Sequence, residues 1–396
     1  MLNKQKAIIF LTVLVDAIGI GIILPVLPFY VESFGASAFV ITSLMAVFSF
    51  CSFFSAPLLG VLSDKYGRRP VLITSILSTS LGWFVFAGTF HIVFLFVGRI
   101  IDGLAAGNFS TAQSYLLDVA DSKKTKTQNL GLISAAFGLG FILGPMLGGF
   151  LSPISPSFPF WFVGFLALVN GALAIFLMPE TNKNAQVFNI KKVFTKSDVS
   201  SFNPFLPIVR ALKNKLLRKP FFIWFLFNLA TVAMQSILAL YISAAFGFGS
   251  MMAGIFMAII GIVVVLNQAA FLKHFWLRYF SETTLEFWLL LFFGAGFLLM
   301  AWPKLIWFVV GLIAMTFANS VLRVVMTSNI SEQSNNGQEG ELMGVLSSVG
   351  AVATILGPLV AGAAFEIKPN IPFFVSALFG FLAFWILISH NQKKLI

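Results

Sequence analysis

The stretches GLISAAFGLGFILGPMLGGF at residues 131–150 and GVLSSVGAVATILGPLVAGA at residues 344–363 are similar to each other. Without a gap, seven of the twenty positions are identical, including the run Ile-Leu-Gly-Pro at 142–145 and at 355–358. The two stretches lie 213 residues apart in the chain. This spacing indicates a chain built from two related halves.

The composition places these halves in a lipid bilayer. Hydrophobic residues make up 59% of the chain, charged residues only 10%, and 48 residues are Phe, which no class of soluble domain matches. Apolar runs of about 18 residues or more can span the hydrocarbon core. We count twelve, at residues 7–30, 38–62, 71–90, 92–115, 129–151, 159–178, 220–245, 250–272, 285–302, 305–327, 342–363 and 371–389. We therefore predict an all-α membrane protein, and a duplicated one is most simply a transporter.

The basic residues are unevenly distributed between the two sides of these spans. Of the 25 Lys and Arg, 21 fall on the side that carries both termini. The positive-inside rule therefore predicts that both termini are cytoplasmic. The net charge of +11 is explained by this topology, so we expect the lipid bilayer as a partner and no nucleic acid.

A single long loop, at residues 179–219, separates six spans from six. We predict an N-terminal six-helix bundle at 1–178, a cytoplasmic linker at 179–219 and a C-terminal bundle at 220–396. The end of the linker, PFLPIVRALKNKLLRKP, alternates apolar and basic residues at helical spacing. This pattern predicts an amphipathic helix on the inner membrane surface, although a solvated basic linker would have the same composition.

The loop GVLSDKYGRRP at residues 60–70 contains the spacing Gly-x3-Asp-x2-Gly-Arg-Arg, formed by Gly60, Asp64, Gly67, Arg68 and Arg69. A short basic loop is the simplest interpretation. The spacing, however, resembles a signature of the major facilitator superfamily, and the resemblance covers the whole chain. It implies two pseudo-symmetric six-helix bundles that alternate between inward-open and outward-open states. It also implies that Asp118 pairs with Arg68 to favour the outward-open state, although an acid at a helix end is otherwise usually just solvated.

The fifth span contains a second pattern. Gly140, Gly144 and Gly148 recur every four residues beside Pro145 and Gly149, which favours close approach of another helix. Glycines at this spacing often serve packing alone. The pattern also resembles the antiporter motif of exporters in the same superfamily.

Two further segments narrow the resemblance. DAIGIGIILPVLP at 16–28 and GRIIDG at 98–103 are similar to the twelve-span drug:proton antiporters, especially the tetracycline efflux proteins. This implies a protein of the bacterial inner membrane. Those pumps carry drug-linked acids in their third and ninth spans, where this chain has Gly82 and Phe293. The loss of these acids disfavours tetracycline as the substrate and favours a specific metabolite, whereas the antiporter motif favours efflux.

Charged residues within the spans are costly, at about 2.5–3.5 kcal/mol each near the bilayer centre, and so are candidates for function. Asp16 has no basic neighbour in its own span, which favours reversible protonation, although a carboxyl hydrogen-bonded for packing is the alternative. Arg99 and Asp102 lie at i and i+3, where they can form a static pair or a proton relay. The resemblance implies that Arg99 tunes proton release.

Polar residues among the aromatic ones are candidates for a substrate cavity. These are Asn108, Gln113, Asn228, Gln235, Asn267, Gln268, Asn319 and Arg323. They suit a small amphipathic molecule that is lipophilic and cationic or zwitterionic.

The sequence shows no motif of an enzyme, a phosphate-binding loop, a metal site or a cofactor site. We therefore expect a monomeric, proton-coupled antiporter whose partners are protons and a small-molecule substrate. One alternative is a transporter of a specific metabolite such as a siderophore, sugar or amino acid derivative. A second is a non-transporting membrane sensor.

Overall fold

The computed structural model describes residues 4–182, 205, 208–209, 213, 217–332 and 339–391. Within this part of the chain, twelve helices are long and apolar enough to cross a membrane, and there is no β-strand. The predicted all-α architecture is confirmed. The amphipathic helix predicted at the end of the linker lies mostly outside the described residues.

The helices correspond to the twelve predicted spans and are numbered in chain order. They are α1 (Lys4–Glu32), α2 (Ala38–Tyr66), α3 (Arg68–Ala87), α4 (Ile92–Asp118), α5 (Lys123–Leu151), α6 (Phe158–Leu177), α7 (Arg218–Phe246), α8 (Ser250–Tyr279), α9 (Glu282–Met300), α10 (Leu305–Glu332), α11 (Glu339–Ile367) and α12 (Ile371–Asn391).

Capping residues explain several helix ends. The hydroxyl of Ser122 accepts a hydrogen bond from the Thr125 N–H at the start of α5, and Ser281 does the same for Thr284 at the start of α9. Each serine satisfies one of the free N–H groups of a first turn. The helix α7 ends at Gly247, whose φ of 69° is the left-handed conformation that favours glycine.

The helix α4 is interrupted in the middle of its span. Its two segments, Ile92–Leu104 and Asn108–Asp118, are joined by a three-residue turn. A Cβ at Gly107 would lie 2.5 Å from the Cβ of Leu59 in α2, so the turn is pressed against its neighbour. Asp102 stands just before the turn and Asn108 just after it. A break inside a span therefore separates two of the predicted site residues.

The helix α8 contains a π-helical segment, Asn267–Trp276. The wider turns bring Trp276 back to Asn267, and its indole N–H donates to Asn267 Oδ1 over 2.8 Å. Asn267 Nδ2 in turn donates to Ser320 Oγ over 2.5 Å and to the Phe317 carbonyl over 3.3 Å. Asn267 is thus buried with its donors and acceptor all in use, which favours a packing role over a cavity role.

The described residues form two compact units. The first lies within Met1–Ala36, Val47–Asn203 and Ser250–Ala258. In it, α1 packs along α5, and α3 packs against α4 and α6. Its core contains buried residues from five helices: Ile8, Ile9, Val13, Leu72, Ile76, Ala112, Tyr115, Leu116, Ile133, Ala136, Ala174 and Met178.

The second unit lies within Ser37–Ala46, Pro204–Gly249 and Ile259–Ile396. In it, α7 packs against α11 and α12, and α9 packs against α10 and α12. The first turns of α2 therefore group with the second unit, and those of α8 with the first. The division into bundles 1–178 and 220–396 stays a prediction.

Similar aromatic contacts occur in the two units, between phenylalanines separated by the offset of the repeat and tyrosines that are 211 positions apart. Phe160 of α6 and Phe373 of α12 are 213 positions apart, and both are fully buried. In the first unit the ring of Phe160 lies 5.1 Å from that of Tyr30, and in the second unit Phe373 lies 4.6 Å from Tyr241. Both tyrosines lie near the end of the first helix of their half. The duplication seen in the sequence is thus repeated in the packing.

Candidate functional site: intramembrane charges and a cytoplasmic ion-pair network

Asp16 lies near the middle of α1, and its side chain is half-buried. Asn108 Nδ2 donates a hydrogen bond to Asp16 Oδ1 over 3.2 Å. Among the described residues, no ion pair includes Asp16. Asn108 is buried, and its Oδ1 has no hydrogen-bond partner in the described part of the chain. The carboxyl of Asp16 therefore has a neutral amide as its neighbour and no cation that would hold it ionised.

Arg99 is almost fully buried and pairs with Asp102, with 3.2 Å between Nη1 and Oδ2. Its guanidinium lies over the rings of Trp83, Phe86 and Phe48, at 4.3, 4.8 and 5.7 Å from their centroids. Its three nitrogens make no hydrogen bond to the described residues. One carboxylate and three aromatic rings thus stabilise the charge of Arg99. The predicted pairing is confirmed, and its role in proton transfer stays a prediction.

Close backbone contact between α3 and α4 fixes this pair. A Cβ at Gly98 would lie 2.8 Å from the Gly82 carbonyl, so the two helices touch at their glycines. The hydroxyl of Thr79, on α3, hydrogen-bonds Asp102. Asp102 is also close enough to Asp16 for the two carboxylates to repel each other. The first unit therefore brings together all three residues predicted to couple to protons.

A second group of charges lies at the cytoplasmic ends predicted for α2, α3 and α4. Arg68 Nε lies 3.0 Å from Asp118 Oδ2, and Arg68 Nη1 pairs with Asp64. Arg68 Nη1 also donates to Ser63 Oγ over 2.7 Å. The pair predicted between Arg68 and Asp118 is confirmed. Gly60 has open space around it, so packing does not require a glycine there.

The carboxylate of Glu180, just after α6, caps the start of α3. It accepts hydrogen bonds from the backbone N–H groups of Arg68 over 2.9 Å and Arg69 over 3.0 Å. The turn before them needs Gly67, whose φ is 107° and where a Cβ would collide with Glu180. Arg69 Nη2 donates to the Ile175 carbonyl over 2.7 Å. The segment predicted as a charged loop is therefore helical on both sides of Gly67, and it is held to the end of α6.

The glycines of α5 face α1 along one stripe. A Cβ on Gly140, Gly144 or Gly148 would lie 2.5–2.9 Å from the nearest atom of α1, which is Ala17 Cβ, Gly21 Cα or Val26 Cγ2 in turn. This spacing is too short for any side chain, so the two backbones are in direct contact. The close approach predicted for this motif is confirmed.

The opposite side of α5 contacts the start of α8. A Cβ at Gly149 would lie 3.2 Å from the Met251 carbonyl oxygen, and one at Gly254 would lie 2.5 Å from the Pro145 carbonyl oxygen. In the second unit, Gly362 stands 213 positions after Gly149, and a Cβ there would lie 3.0 Å from the Cα of Phe39 in α2. Gly149 and Gly362, which are equivalent in the duplication, thus each contact the first turn of another helix.

The predicted cavity residues are distributed over both units. Asn108 and Gln113 lie in the first unit and the other six in the second. In the second unit, Asn319 Nδ2 donates to Thr231 Oγ1 over 2.7 Å, and Asn228 Nδ2 donates to the Trp224 carbonyl of its own helix over 2.8 Å. Gln268 Nε2 makes a long contact of 3.4 Å to the Ser320 carbonyl.

Residues 9–283 match the family described as the Major Facilitator Superfamily, which is well over half of the chain. The chain belongs to the Major Facilitator Superfamily. It is a multi-pass membrane protein with twelve spans in the described residues, and this family points to a transporter rather than an enzyme.

Curated members of the superfamily resemble the chain along nearly its full length. The tetracycline resistance protein, class C, of Escherichia coli is 29% identical over 366 residues, covering 91% of this chain and 89% of that protein. The quinolone resistance protein NorA of Staphylococcus aureus (strain MSSA476) is 26% identical over 395 residues, covering 99% and 98%.

Solved structures of the superfamily share the fold. The human organic anion transporter MFSD10 (TETRAN) has a TM-score of 0.70 and 24% identity, and the match covers 97% of this chain and 99% of that one. The nucleoside transporter NupG has a TM-score of 0.75 and 15% identity, covering 98% of each chain. These similarities show the fold alone.

Three residues that contact the candidate site residues were not predicted from the sequence: Glu180, Thr79 and Trp83. Glu180 follows Pro179 at the end of a span, on the same side as the basic segment at residues 60–70. This position could have identified it as a partner of that segment. Thr79 and Trp83 lie four positions apart on α3, the spacing of one helix face. Nothing in the sequence indicates that this face meets Arg99 and Asp102.

Proposed function

We propose that this superfamily member is a proton-driven antiporter that exports a small amphipathic compound from the cytoplasm. The observation that supports it best is the state of Asp16: a half-buried carboxyl in mid-span, hydrogen-bonded to the neutral Asn108 and paired with no cation among the described residues. The resistance functions named for its relatives support export of a drug-like compound.

Asn108 suits both protonation states of Asp16. When Asp16 is ionised, Asn108 Nδ2 can donate to it across the 3.2 Å contact. When Asp16 is protonated, its O–H can donate to Asn108 Oδ1, which has no other partner in the described part of the chain. A partner that satisfies both states lowers the cost of loading and unloading a proton inside the membrane.

The Arg99–Asp102 pair supplies an electrostatic background for this step. Asp102 repels a negative charge on Asp16, and Asp102 is itself paired with Arg99. A change in the pairing of Arg99 with Asp102 would therefore change the proton affinity of Asp16 without direct contact. In the cycle that we propose, protonation of Asp16 lowers the affinity for substrate, and bound substrate lowers the affinity of Asp16 for a proton. Binding of one therefore causes release of the other.

The energy for export comes from the proton. One charge that moves down a membrane potential gains about 2.3 kcal/mol per 100 mV. This corresponds to a roughly fifty-fold uphill gradient of substrate for each proton exchanged. We infer that the protein acts as a monomer in the bacterial inner membrane, with both termini cytoplasmic and with the Asp64–Arg68–Asp118 network favouring its outward-open state.

The packing around Gly82 supports a substrate other than tetracycline. The resemblance assigns a drug-linked acid to this position in the tetracycline pumps. Here a Cβ at Gly82 would lie 3.0 Å from the backbone nitrogen of Asp102 and 3.0 Å from the Gly98 carbonyl oxygen. A carboxylate side chain has no space there, so this part of the site differs from that of the tetracycline pumps.

The proposal is tested in proteoliposomes that contain the purified full-length protein and a trapped pH-sensitive dye. Addition of an amphipathic compound, with a tetracycline and a quinolone in the panel, should cause proton movement that depends on the compound. Liposomes without protein provide the control. If no compound of the panel moves protons, while the protein binds some of them, proton-coupled antiport is contradicted.

A further inference from the structure

The second unit contains an intramembrane cation, Arg323, that no acid neutralises among the described residues. Arg323 lies nine residues before Glu332, the last residue of α10, so about 13 Å of helix separates it from that end. The residue is accessible to solvent, although neighbouring protein atoms desolvate its guanidinium. Among the described residues it takes part in no ion pair, and no charged group acts on it electrostatically.

The two intramembrane arginines of this chain differ in this respect. Arg99 is 1% exposed and has Asp102 at 3.2 Å. Arg323 is accessible to solvent and has no ion-pair partner in the described part of the chain, although an arginine in a span costs about 2.5–3.5 kcal/mol on insertion scales. The ion pair with Asp102 explains how the charge of Arg99 is tolerated inside a span, whereas no such pair among the described residues explains the charge of Arg323. A charge kept at this cost without an internal partner is typical of a group that meets an external one.

The surroundings of Arg323 indicate which way it faces. Asn319, one turn earlier on the same face of α10, donates to Thr231 on α7 over 2.7 Å. The Arg323 guanidinium lies over the rings of Trp224 and Phe227, also on α7, at 5.9 and 5.8 Å. The face that bears Arg323 is therefore turned towards α7. Protein atoms therefore surround a guanidinium that solvent can still reach.

The two rings leave the donor edge of the guanidinium free. Trp224 is fixed because its indole N–H donates to the Leu346 carbonyl over 3.1 Å, and Phe227 packs against Phe293 at 5.1 Å. Rings contact the face of a guanidinium, whereas its five N–H donors lie in its plane. No hydrogen bond from the Arg323 side chain to a described residue occupies that plane. A planar carboxylate can therefore pair with it through two N–H groups.

We propose that Arg323 is a substrate-binding residue that recognises an anionic group, and that the exported compounds include amphipathic aromatic carboxylates. This inference rests on the proposed export function and adds the substrate class to it. A lipophilic cation without an acidic group would leave Arg323 unpaired and be repelled by it. A zwitterion or an organic acid would instead supply the missing negative charge.

The test is equilibrium binding to the purified full-length protein in lipid nanodiscs, with no ion gradient. The probes are naphthoate and naphthamide, which share a ring and differ in charge. We expect naphthoate to bind more tightly than naphthamide to the parent protein. Arg323→Gln should weaken naphthoate binding by about tenfold or more and change naphthamide binding by less than about twofold. Arg323→Lys, which keeps the charge but loses the planar fork, should be intermediate.

The control is Arg278→Gln at the end of α8, where an exposed arginine lies 5.6 Å over the Tyr279 ring. It removes the same charge and should leave both probes unaffected. The proposal is overturned if the parent shows no saturable naphthoate binding, if Arg323→Gln leaves naphthoate binding unchanged, or if both probes weaken equally. If Arg323→Gln does not fold, Arg323→Lys becomes the test, and naphthoate binding by Arg323→Lys equal to that of the parent then overturns the proposal. Because no gradient is present, these outcomes are independent of whether proton antiport is correct.

Discussion

Asn108 donates a hydrogen bond to Asp16 over 3.2 Å, and the two residues come from the second segment of α4 and the middle of α1. The contact exists because α4 is interrupted at residues 105–107, immediately before Asn108. A broken helix inside a span is a common way to present polar groups at a transport site. The break, the amide and the carboxyl therefore belong to one local arrangement.

We predict that Asp16→Asn abolishes compound-driven proton movement while the protein still folds. The substitution keeps the shape and a hydrogen bond with Asn108 but removes the group that binds the proton. Asp16→Glu should retain part of the activity with a shifted pH optimum. The measurement is dye-reported proton movement in proteoliposomes, with circular dichroism to confirm folding.

The matched control for Asp16 is Asp121→Asn, which removes an exposed carboxylate from the loop before α5. It should transport like the parent. Uphill export by Asp16→Asn at the parent rate would show that the proton binds elsewhere.

Much of the fold could be predicted from the sequence because hydropathy and repetition act over long stretches. The twelve spans follow from apolar length, and the close approach of another helix to the glycines of α5 follows from their spacing, whereas only the structure identifies that helix as α1. The Arg99–Asp102 pair follows from the i,i+3 geometry of one helix. The Arg68–Asp118 pair, by contrast, joins residues 50 positions apart and was accessible only through the family resemblance.

The remaining features depend on contacts that no local pattern encodes. The break in α4 arises where Gly107 meets Leu59 of α2, a tertiary contact. The π-helical turns of α8 are accompanied by the Trp276–Asn267 hydrogen bond, which joins side chains nine residues apart. Whether a polar residue such as Asn267 is satisfied or, like Arg323, left unpaired depends on neighbouring helices and cannot be judged from composition.

We predict that Asp102→Asn lowers thermal stability substantially, because it leaves the buried Arg99 without its counter-ion. Breaking a buried pair from one side costs about 3–5 kcal/mol. The double variant Arg99→Met with Asp102→Asn should recover much of that loss, since no uncompensated charge remains. Melting temperatures of the three proteins in detergent measure the effect. Full transport by the double variant would mean that the pair is structural and takes no part in proton transfer.

We predict that Gly144→Ala destabilises the protein, because the new Cβ would lie 2.7 Å from the Gly21 Cα and 2.7 Å from the Ile18 carbonyl oxygen. Overpacking of this kind costs about 1–3 kcal/mol. Gly138→Ala is the control in the same helix, since a Cβ there meets nothing within 4 Å. It should melt at or slightly above the parent temperature. Equal melting temperatures for the two variants would contradict the direct contact between α1 and α5.

We predict that Glu180→Ala loosens the start of α3, because the N–H groups of Arg68 and Arg69 lose their shared acceptor. Loss of a helix cap costs about 0.5–2 kcal/mol. Hydrogen exchange of residues 66–71, followed by mass spectrometry in nanodiscs, should become faster. Glu332→Ala, an exposed acid at the end of α10, is the control. Unchanged exchange in the Glu180 variant would show that the cap does not hold the charged loop.

Finally, we predict that Arg68→Ala increases the inward-open population and slows turnover, with little change in melting temperature. Arg68 joins Asp64 and Asp118, whose side chains are 63% and 33% exposed. Exposed pairs contribute at most about 1 kcal/mol each to folding. A pair formed in only one state, however, shifts the equilibrium between the states by its full differential energy.

Lys124→Ala, which removes an exposed charge at the start of α5, is the control. Distances between spin labels on the cytoplasmic ends of the two predicted bundles provide the measurement. If Arg68→Ala and the parent give the same distance distribution across pH, the network has no role in switching, and the charged loop only marks the cytoplasmic side.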